Sequence, residues 1–233
     1  MNNWAIADLH GNINLWKGFC QDVFKENDKI FFLGDSIDRG PDGFQLMKEL
    51  LMDDRVIYLK GNHEDMFAKD MIDYIKYDGL MDYAHHLHMI NGGEPTWNAW
   101  IDNGAKAGYI NVLNKLPLTA KFKNEQGINI ILCHAGYTPL ENKFITEQDM
   151  IWSRDHLYDP WPEDYQNLVI IHGHTPIQYL YQAFEIDKKY SPKEDGSFWY
   201  SENHKIDIDC GSYFTNCAIA LNLDTFDEEI IEV

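Results

Sequence analysis

Short apolar runs recur along the chain, and each stops at a polar cluster holding glycine, a carboxylate or an imidazole. Trp4-Ala5-Ile6-Ala7 ends at Asp8-Leu9-His10-Gly11; beyond it Leu15, Phe19 and Val23 recur at helical spacing, with Trp16 and Phe24 widening the stripe. Lys29 to Leu33 leads into Gly34-Asp35-Ser36-Ile37-Asp38-Arg39-Gly40, and a helical stripe of Phe44, Met47, Leu50 and Leu51 follows. Val56 to Leu59 leads into Gly61-Asn62-His63-Glu64, followed by Phe67, Met71, Tyr74 and Ile75. Three strand–loop–helix units in succession predict an α/β chain whose sheet has substantial parallel character, with helices packed on it.

The second half reads differently. Residues from about 77 to 118 carry aromatic residues and the turn signal Asn91-Gly92-Gly93, and are expected to form a helical insertion over the sheet edge. Strand-like runs then dominate. Ile128 to Cys133 ends at His134-Ala135-Gly136, and Leu168 to Ile171 ends near His172-Gly173-His174-Thr175. Ile206-Asp207-Ile208 and Ala218 to Leu221 follow, with a last strand near Ile230, while Pro160-Trp161-Pro162 and Ser191 to Gly196 read as loops. No repeat or low-complexity linker divides the chain, so residues 1–233 are expected to form a single domain.

Composition narrows the function classes. The formal net charge of −19 argues against binding of duplex nucleic acid or anionic lipid, which needs clustered Lys and Arg. It leaves room for a phosphorylated substrate, because bound cations can reverse the local field. Cys20, Cys133, Cys210 and Cys217 show no Cys-x-x-Cys spacing, so neither a disulfide framework nor a zinc–cysteine site is expected. Met1-Asn2-Asn3-Trp4 lacks the basic and apolar regions of a leader peptide, and no apolar run is long enough to cross a bilayer; a cytoplasmic protein is expected. No feature fixes an oligomeric state.

Because every polar cluster follows an apolar run, all of them can gather at one edge of the sheet, where ligands bind in open α/β folds. The residues delivered there are Asp8, His10, Asp35, Asn62, His134 and His174. Carboxylate, imidazole and amide without thiolate suit Mn²⁺, Fe or Zn²⁺. One carboxylate shared between two ions would hold them roughly 3.5–4 Å apart, as in two-metal phosphoryl transfer.

These five loops, in this order, resemble the motif set of the calcineurin-like metallophosphoesterases. The Asp-Arg-Gly ending and the Gly-Asn-His-Glu block are similar to the phosphoprotein phosphatase branch, which includes small bacterial and phage Ser/Thr phosphatases and diadenosine tetraphosphatases. The motifs run from residue 8 to residue 175, about three-quarters of the chain. The resemblance implies a four-layer α/β/β/α sandwich with mixed sheets and a binuclear metal centre. Asp8, His10 and Asp35 would hold one ion; Asn62, His134 and His174 would hold the other, with Asp35 bridging. A hydroxide between the ions would attack phosphorus, and His63, supported by Asp38, would protonate the leaving oxygen. Arg39 and Arg154 would bind phosphate oxygens, with Asn62 beside them. The implied activity is hydrolysis of phosphate monoesters on Ser/Thr phosphoproteins; dinucleoside polyphosphate hydrolysis shares the same ligand set. Position 176 is Pro, where the wider superfamily carries a further histidine, so the first ion would lack a fourth protein ligand.

Several residues admit plainer readings. Asp38 and Arg39 could form a surface ion pair, and Arg154 could be a solvated loop residue. His172, two residues before His174, reads as a strand end or a hydrogen-bond support for the ligands more than as a ligand itself. The Tyr83 to His88 cluster, with its three histidines, reads as a solvated helix face. Trp97, Trp100 and Tyr109 read as local core, with a substrate-stacking wall as the alternative. A non-catalytic phosphate-binding protein would have no need of Asp38, His63 and Arg39 together.

Overall fold

A computed structural model of the chain describes residues 1–79, 83–138, 145–158, 165, 167–183, 199–201 and 204–233. The loops expected at Pro160-Trp161-Pro162 and Ser191 to Gly196 lie outside these residues. In chain order the first half comprises β1 (Asn3–Ile6), α1 (Ile13–Asp22), β2 (Lys29–Phe32), α2 (Gly43–Met52), β3 (Val56–Tyr58) and α3 (Asn62–Lys76). Three further helices follow, α4 (Tyr83–Ile90), α5 (Glu94–Asp102) and α6 (Gly108–Asn114). The remainder is β4 (Thr119–Lys123), β5 (Asn129–Cys133), α7 (Glu147–Trp152), β6 (Leu168–His172), α8 (Ile177–Ala183), β7 (Trp199–Ser201), β8 (Lys205–Asp207), α9 (Ser212–Thr215), β9 (Cys217–Asn222) and β10 (Glu228–Glu232).

Two mixed sheets result, with strand orders β10-β9-β1-β2-β3 and β4-β5-β6-β8-β7. In the first, β1, β2 and β3 pair in parallel while β9 and β10 join antiparallel. In the second, β5, β6 and β8 are parallel, and β4 and β7 close the edges antiparallel. The parallel strands β1, β2, β5 and β6 are largely buried and read as apolar runs, as strands covered on both faces do. By contrast β4, Thr-Ala-Lys-Phe-Lys, lies at an edge and alternates only partly buried and exposed positions, so its sequence carries little apolar signal.

The sheets pack face to face. Ala5, Phe31, Leu33 and Leu221 of the first meet Ile130, Leu132, Val169, Ile171 and Ile206 of the second. The other face of the first sheet carries Trp4, Ile6, Ile30, Phe32 and Ala220, and against it pack the stripes of α1, α2 and α3 together with Trp97, Trp100 and Leu113 of the later helices. Outside the second sheet, Ile131, Cys133, Leu168 and Ile170 form a smaller cluster with Tyr137 and Tyr165 on it. Trp97 and Trp100 are thus core residues, 5% and 0% exposed. They form no substrate wall.

Candidate active site

The parallel strands of both sheets deliver their loops to one region. Asp8 and His10 follow β1; Asp35, Asp38 and Arg39 follow β2; Asn62 and His63 begin α3 just beyond β3. His134 follows β5 and His174 follows β6, so the second sheet contributes from the other side of the core. The loops are tied to each other by backbone bonds: His10 N–H donates to the Asp35 carbonyl at 3.0 Å and Gly11 N–H to that of Ser36 at 2.8 Å. Asp8, His10, Asp35, Asp38, Arg39 and His174 all adopt φ between +43° and +71°. Outside glycine this left-handed backbone is unfavourable, and it concentrates where function constrains the chain.

Glu64 organises the tightest of these loops. Its buried carboxylate accepts the N–H groups of Asp35 (2.8 Å), Ser36 (2.9 Å) and Gly61 (2.9 Å), and the Tyr58 hydroxyl at 2.7 Å. At Gly34 the backbone has φ +94°, and a Cβ would come within 2.6 Å of the Gly61 backbone and 2.9 Å of His134 Nδ1. Only glycine fits there.

Ring tautomers follow from carbonyl contacts, since a carbonyl oxygen can only accept. His10 Nδ1 donates to the Ile37 carbonyl (3.0 Å), His134 Nδ1 to that of Leu33 (2.7 Å), and His174 Nε2 to that of Trp152 (3.2 Å). In a neutral ring the other nitrogen then carries a lone pair. Burial is the first cause holding all three rings neutral, His10 down to about 3. His134 Nε2 and His174 Nδ1 both face Asn62 Oδ1, at 2.9 and 3.0 Å, and His134 Nε2 lies 3.5 Å from Asp35 Oδ1. With the Asn62 oxygen turned toward both rings, the lone pairs converge on one another, an arrangement that a cation seated between them satisfies. On the other side of Asp35, Oδ2 lies 3.7 Å from His10 Nε2 and 3.8 Å from His63 Nε2.

Two groups of potential ligands share Asp35: His10–Asp35–His63 and Asp35–His134–His174, each with ligand atoms within 4.8 Å of one another. Asp8 stands beside them, its Oδ2 accepting the His174 N–H at 3.0 Å. Its Oδ1 is buried without a hydrogen-bond partner. Burial, with Asp209 and Asp35 nearby, pushes the Asp8 carboxyl well above its usual range. Asp35 is also buried, but the imidazoles around it, His134 foremost, hold it below that range. An orphaned carboxylate oxygen, clustered acids and inward-facing lone pairs fit divalent cations.

His63 Nδ1 lies 2.7 Å from Asp38 Oδ2, both fully buried. Arg39 makes no ion pair with its neighbour Asp38. Its Nη1 donates to His10 Nε2 at 2.8 Å, and its Nη2 stands 3.2 Å from His63 Nε2. Arg154 is fixed by Thr175, with Nε donating to Oγ1 at 2.9 Å. Both arginines and His174 line a cleft of about 540 Å³ walled by Tyr158, Tyr179, Tyr213 and Phe214. His172 points away from the ligands toward Asp207, 3.6 Å from its Oδ2.

Three residues go beyond the expectations from sequence. Glu64 closes the Gly61-Asn62-His63-Glu64 cluster, but its role depends on backbone donors that no spacing specifies. Asp209 is buried, and burial raises its carboxyl to about 7, against the pull of Gly211 N–H and of Arg39. It follows β8 as Asp35 follows β2, so the apolar-run-then-acid pattern could have found it. His88 corrects the reading of Tyr83 to His88 as a solvated face: it is 0% exposed, because α4 packs on α3 with this ring turned inward to Asp38 and Asp70.

A family model described as calcineurin-like phosphoesterase matches residues 1–208. The chain is 25% identical over 214 residues to the asymmetrical bis(5′-nucleosyl)-tetraphosphatase PrpE of Oceanobacillus iheyensis, covering 82% of this chain and 72% of that protein. It is 28% identical over 162 residues to serine/threonine-protein phosphatase 2 of Escherichia coli, covering 66% and 68% respectively. A solved structure presented as a candidate diadenosine tetraphosphatase superposes with a TM-score of 0.60 at 15% identity, covering 99% of this chain and 92% of the other; this likeness concerns the fold.

Proposed function

Because the chain belongs to the calcineurin-like phosphoesterase family, we propose that it hydrolyses phosphate monoesters, acting on proteins phosphorylated at serine or threonine. The carrying observation is the convergence of lone pairs from His134, His174 and Asn62 beside Asp35, with His63 and Arg39 on its other side. Asp8, His10 and Asp35 would hold one divalent ion and Asp35, Asn62, His134 and His174 a second; when bound, these supply the Lewis acidity that makes water a nucleophile near neutral pH. Mn²⁺ is the ion proposed, from an all-nitrogen-and-oxygen donor set. A cytoplasmic location is proposed with this activity, since the cysteine spacing of the sequence offers no disulfide framework.

The chain's own residues bind and orient the substrate. Arg39 and Arg154 present planar guanidinium forks to the phosphoryl oxygens, and Asn62 adds its amide. Arg154 is pre-positioned by Thr175, so little side-chain entropy is lost on binding. His63, held by Asp38 at Nδ1, would deliver a proton from Nε2 to the leaving oxygen once Arg39 Nη2, which stands 3.2 Å from that nitrogen, has turned to the phosphoryl group.

The aromatic cleft favours a second reading. Tyr158, Tyr179, Tyr213 and Phe214, more than half exposed beside two arginines, are suited to stacking a nucleobase while its phosphates meet the guanidinium groups. That substrate is a dinucleoside polyphosphate. Paired initial rates on one Mn²⁺-loaded preparation separate the two. Phosphoserine peptide favoured about 100-fold in kcat/KM, about 2.7 kcal/mol of differential transition-state binding, is the expected result. The same margin for diadenosine tetraphosphate overturns the phosphoprotein reading.

A further inference from the structure

We propose that His88 is a positioning residue for this site: carried by the helical insertion, it clamps Asp38 as an imidazolium and fixes that carboxylate as the acceptor for His63. The inference rests on the reading of His63 as the group that protonates the leaving oxygen.

The geometry is a continuous buried chain. His63 Nδ1 lies 2.7 Å from Asp38 Oδ2, and His88 Nε2 lies 3.1 Å from each Asp38 oxygen. On its other side His88 Nδ1 lies 2.8 Å from Asp70 Oδ2, and His85 Nδ1 lies 3.1 Å from both Asp70 oxygens. Both nitrogens of His88 thus face carboxylates. An ionised carboxylate only accepts, so both ring nitrogens must donate, and that requires the protonated ring. A neutral ring would set a lone pair against a buried anion, which costs more in a low dielectric than in water. Charge agrees with contact: burial lowers the proton affinity of His88, but Asp38 and Asp70 outweigh it and raise it to about 9. Asp38, buried too, is held below its usual range first by His88 and then by His63.

The surroundings are shaped to this ring. Gly93 packs so closely that a Cβ there would overlap the imidazole. Its φ is −73°, so the need for glycine is spatial rather than conformational. Phe67 of α3 lies alongside, ring centroids 5.5 Å apart. The titratable groups facing His88 are Asp38 from the β2 loop and Asp70 from α3; His63 and His85 are each one carboxylate away. The same insertion grips the loop twice more, with Thr96 Oγ1 accepting the Asp38 N–H (2.9 Å) and the Gly92 carbonyl accepting the Arg39 N–H (2.8 Å). Helices α4 and α5 therefore brace the proton-donating pair. Without His88, Asp38 would be a buried anion held at its carboxylate by the His63 ring, free to turn its oxygens and take that ring with it.

The test combines a spectrum and a substrate comparison. Long-range ¹H–¹⁵N spectra of the metal-free, full-length protein at pH 8 should show both His88 nitrogens protonated, assigned by their loss in His88→Gln. In the Mn²⁺-loaded enzyme, His88→Gln should lower kcat for phenyl phosphate about 10-fold, part of the 10²–10⁴ typical of general acid catalysis. KM should stay within about twofold, and p-nitrophenyl phosphate, whose leaving group needs no proton, should lose less than about threefold. A merely structural role would lower both substrates alike. A neutral His88 at pH 8, equal losses on the two substrates, or wild-type rates for the variant each overturn the inference. His63→Ala distinguishes the cases: if it loses phenyl phosphate turnover while His88→Gln does not, the reading of the site survives. If His63→Ala is itself unimpaired, that reading falls and the inference with it.

Discussion

Replacing Glu64 by alanine should unfold the metal loop before it affects any ligand directly. The carboxylate satisfies three backbone N–H groups, of Asp35, Ser36 and Gly61, at 2.8–2.9 Å. A buried donor left without a partner costs about 1–3 kcal/mol, so three give roughly 3–9 kcal/mol. Some of this is recovered, because Glu64 is itself a buried charge whose carboxyl is raised by burial and by Asp35. A net loss of about 3–4 kcal/mol is expected, a large share of the 5–15 kcal/mol typical of a domain. Urea unfolding of the metal-free protein measures it; at a slope of about 3 kcal/mol per molar, the midpoint should fall by about 1 M. Lys69→Ala is the control. Its ammonium, on a side chain 58% exposed, pairs with Asp65 at 2.7 Å on the surface of α3 and should matter by about 0.5 kcal/mol. A loss below about 1 kcal/mol for Glu64→Ala would refute the reasoning, because it would mean that water replaces the carboxylate at all three donors.

Gly34→Ala should weaken divalent-ion binding at least about 10-fold by calorimetry, since the added carbon meets backbone, whereas Gly127→Ala, at φ +84° in open space, should cost only about 1 kcal/mol of strain and spare binding. Arg154→Ala should raise KM about 10-fold with kcat nearly unchanged, and Arg154→Lys should recover little of it, because Thr175 and a phosphate are held by one planar fork. Saturating Mn²⁺ at about 100 times Kd should add about 2.7 kcal/mol and raise Tm by roughly 5–10 °C, an effect that a chelator reverses. His88 is raised in the folded state to about 9, so its contribution is complete below about 6.5 and disappears as pH climbs through about 9. Metal-free wild type should lose up to about 3 kcal/mol over that window, and His88→Gln should flatten the decline in urea titrations.

The parts legible in the sequence were those with a local cause. Strands β1, β2, β5 and β6 appear as apolar runs because both faces are covered, and their loops appear as polar clusters because the runs stop there. That Asp8, His10, Asp35, Asn62, His134 and His174 gather in one region follows from loop order, each standing just beyond a parallel strand. What stayed hidden depends on partners far along the chain. His88 looks solvated in a row of three histidines, and only the docking of α4 on α3 shows that it faces Asp38, fifty positions earlier. β4 was hidden by its lysines, and α7 and α8 by being too short to show a period. The plain reading of Arg39 as an ion-pair partner of Asp38 failed because its left-handed backbone, φ +63°, turns the guanidinium to His10 and His63.

The origin of the candidate ligands in two separate sheets has a kinetic consequence. Asp8, Asp35 and Asn62 stand on one sheet, His134 and His174 on the other, and the side chains of the inner core join the two. Any ion seated among them works as a staple across that seam. Residues as far apart as Asp8 and His174, 166 positions, must already be in place before it can close. Such long-range geometry is expected to form after the folding barrier, a point that refolding and unfolding rates measured with and without Mn²⁺ would check. Ion binding should therefore leave the refolding rate almost untouched and act as a brake on unfolding.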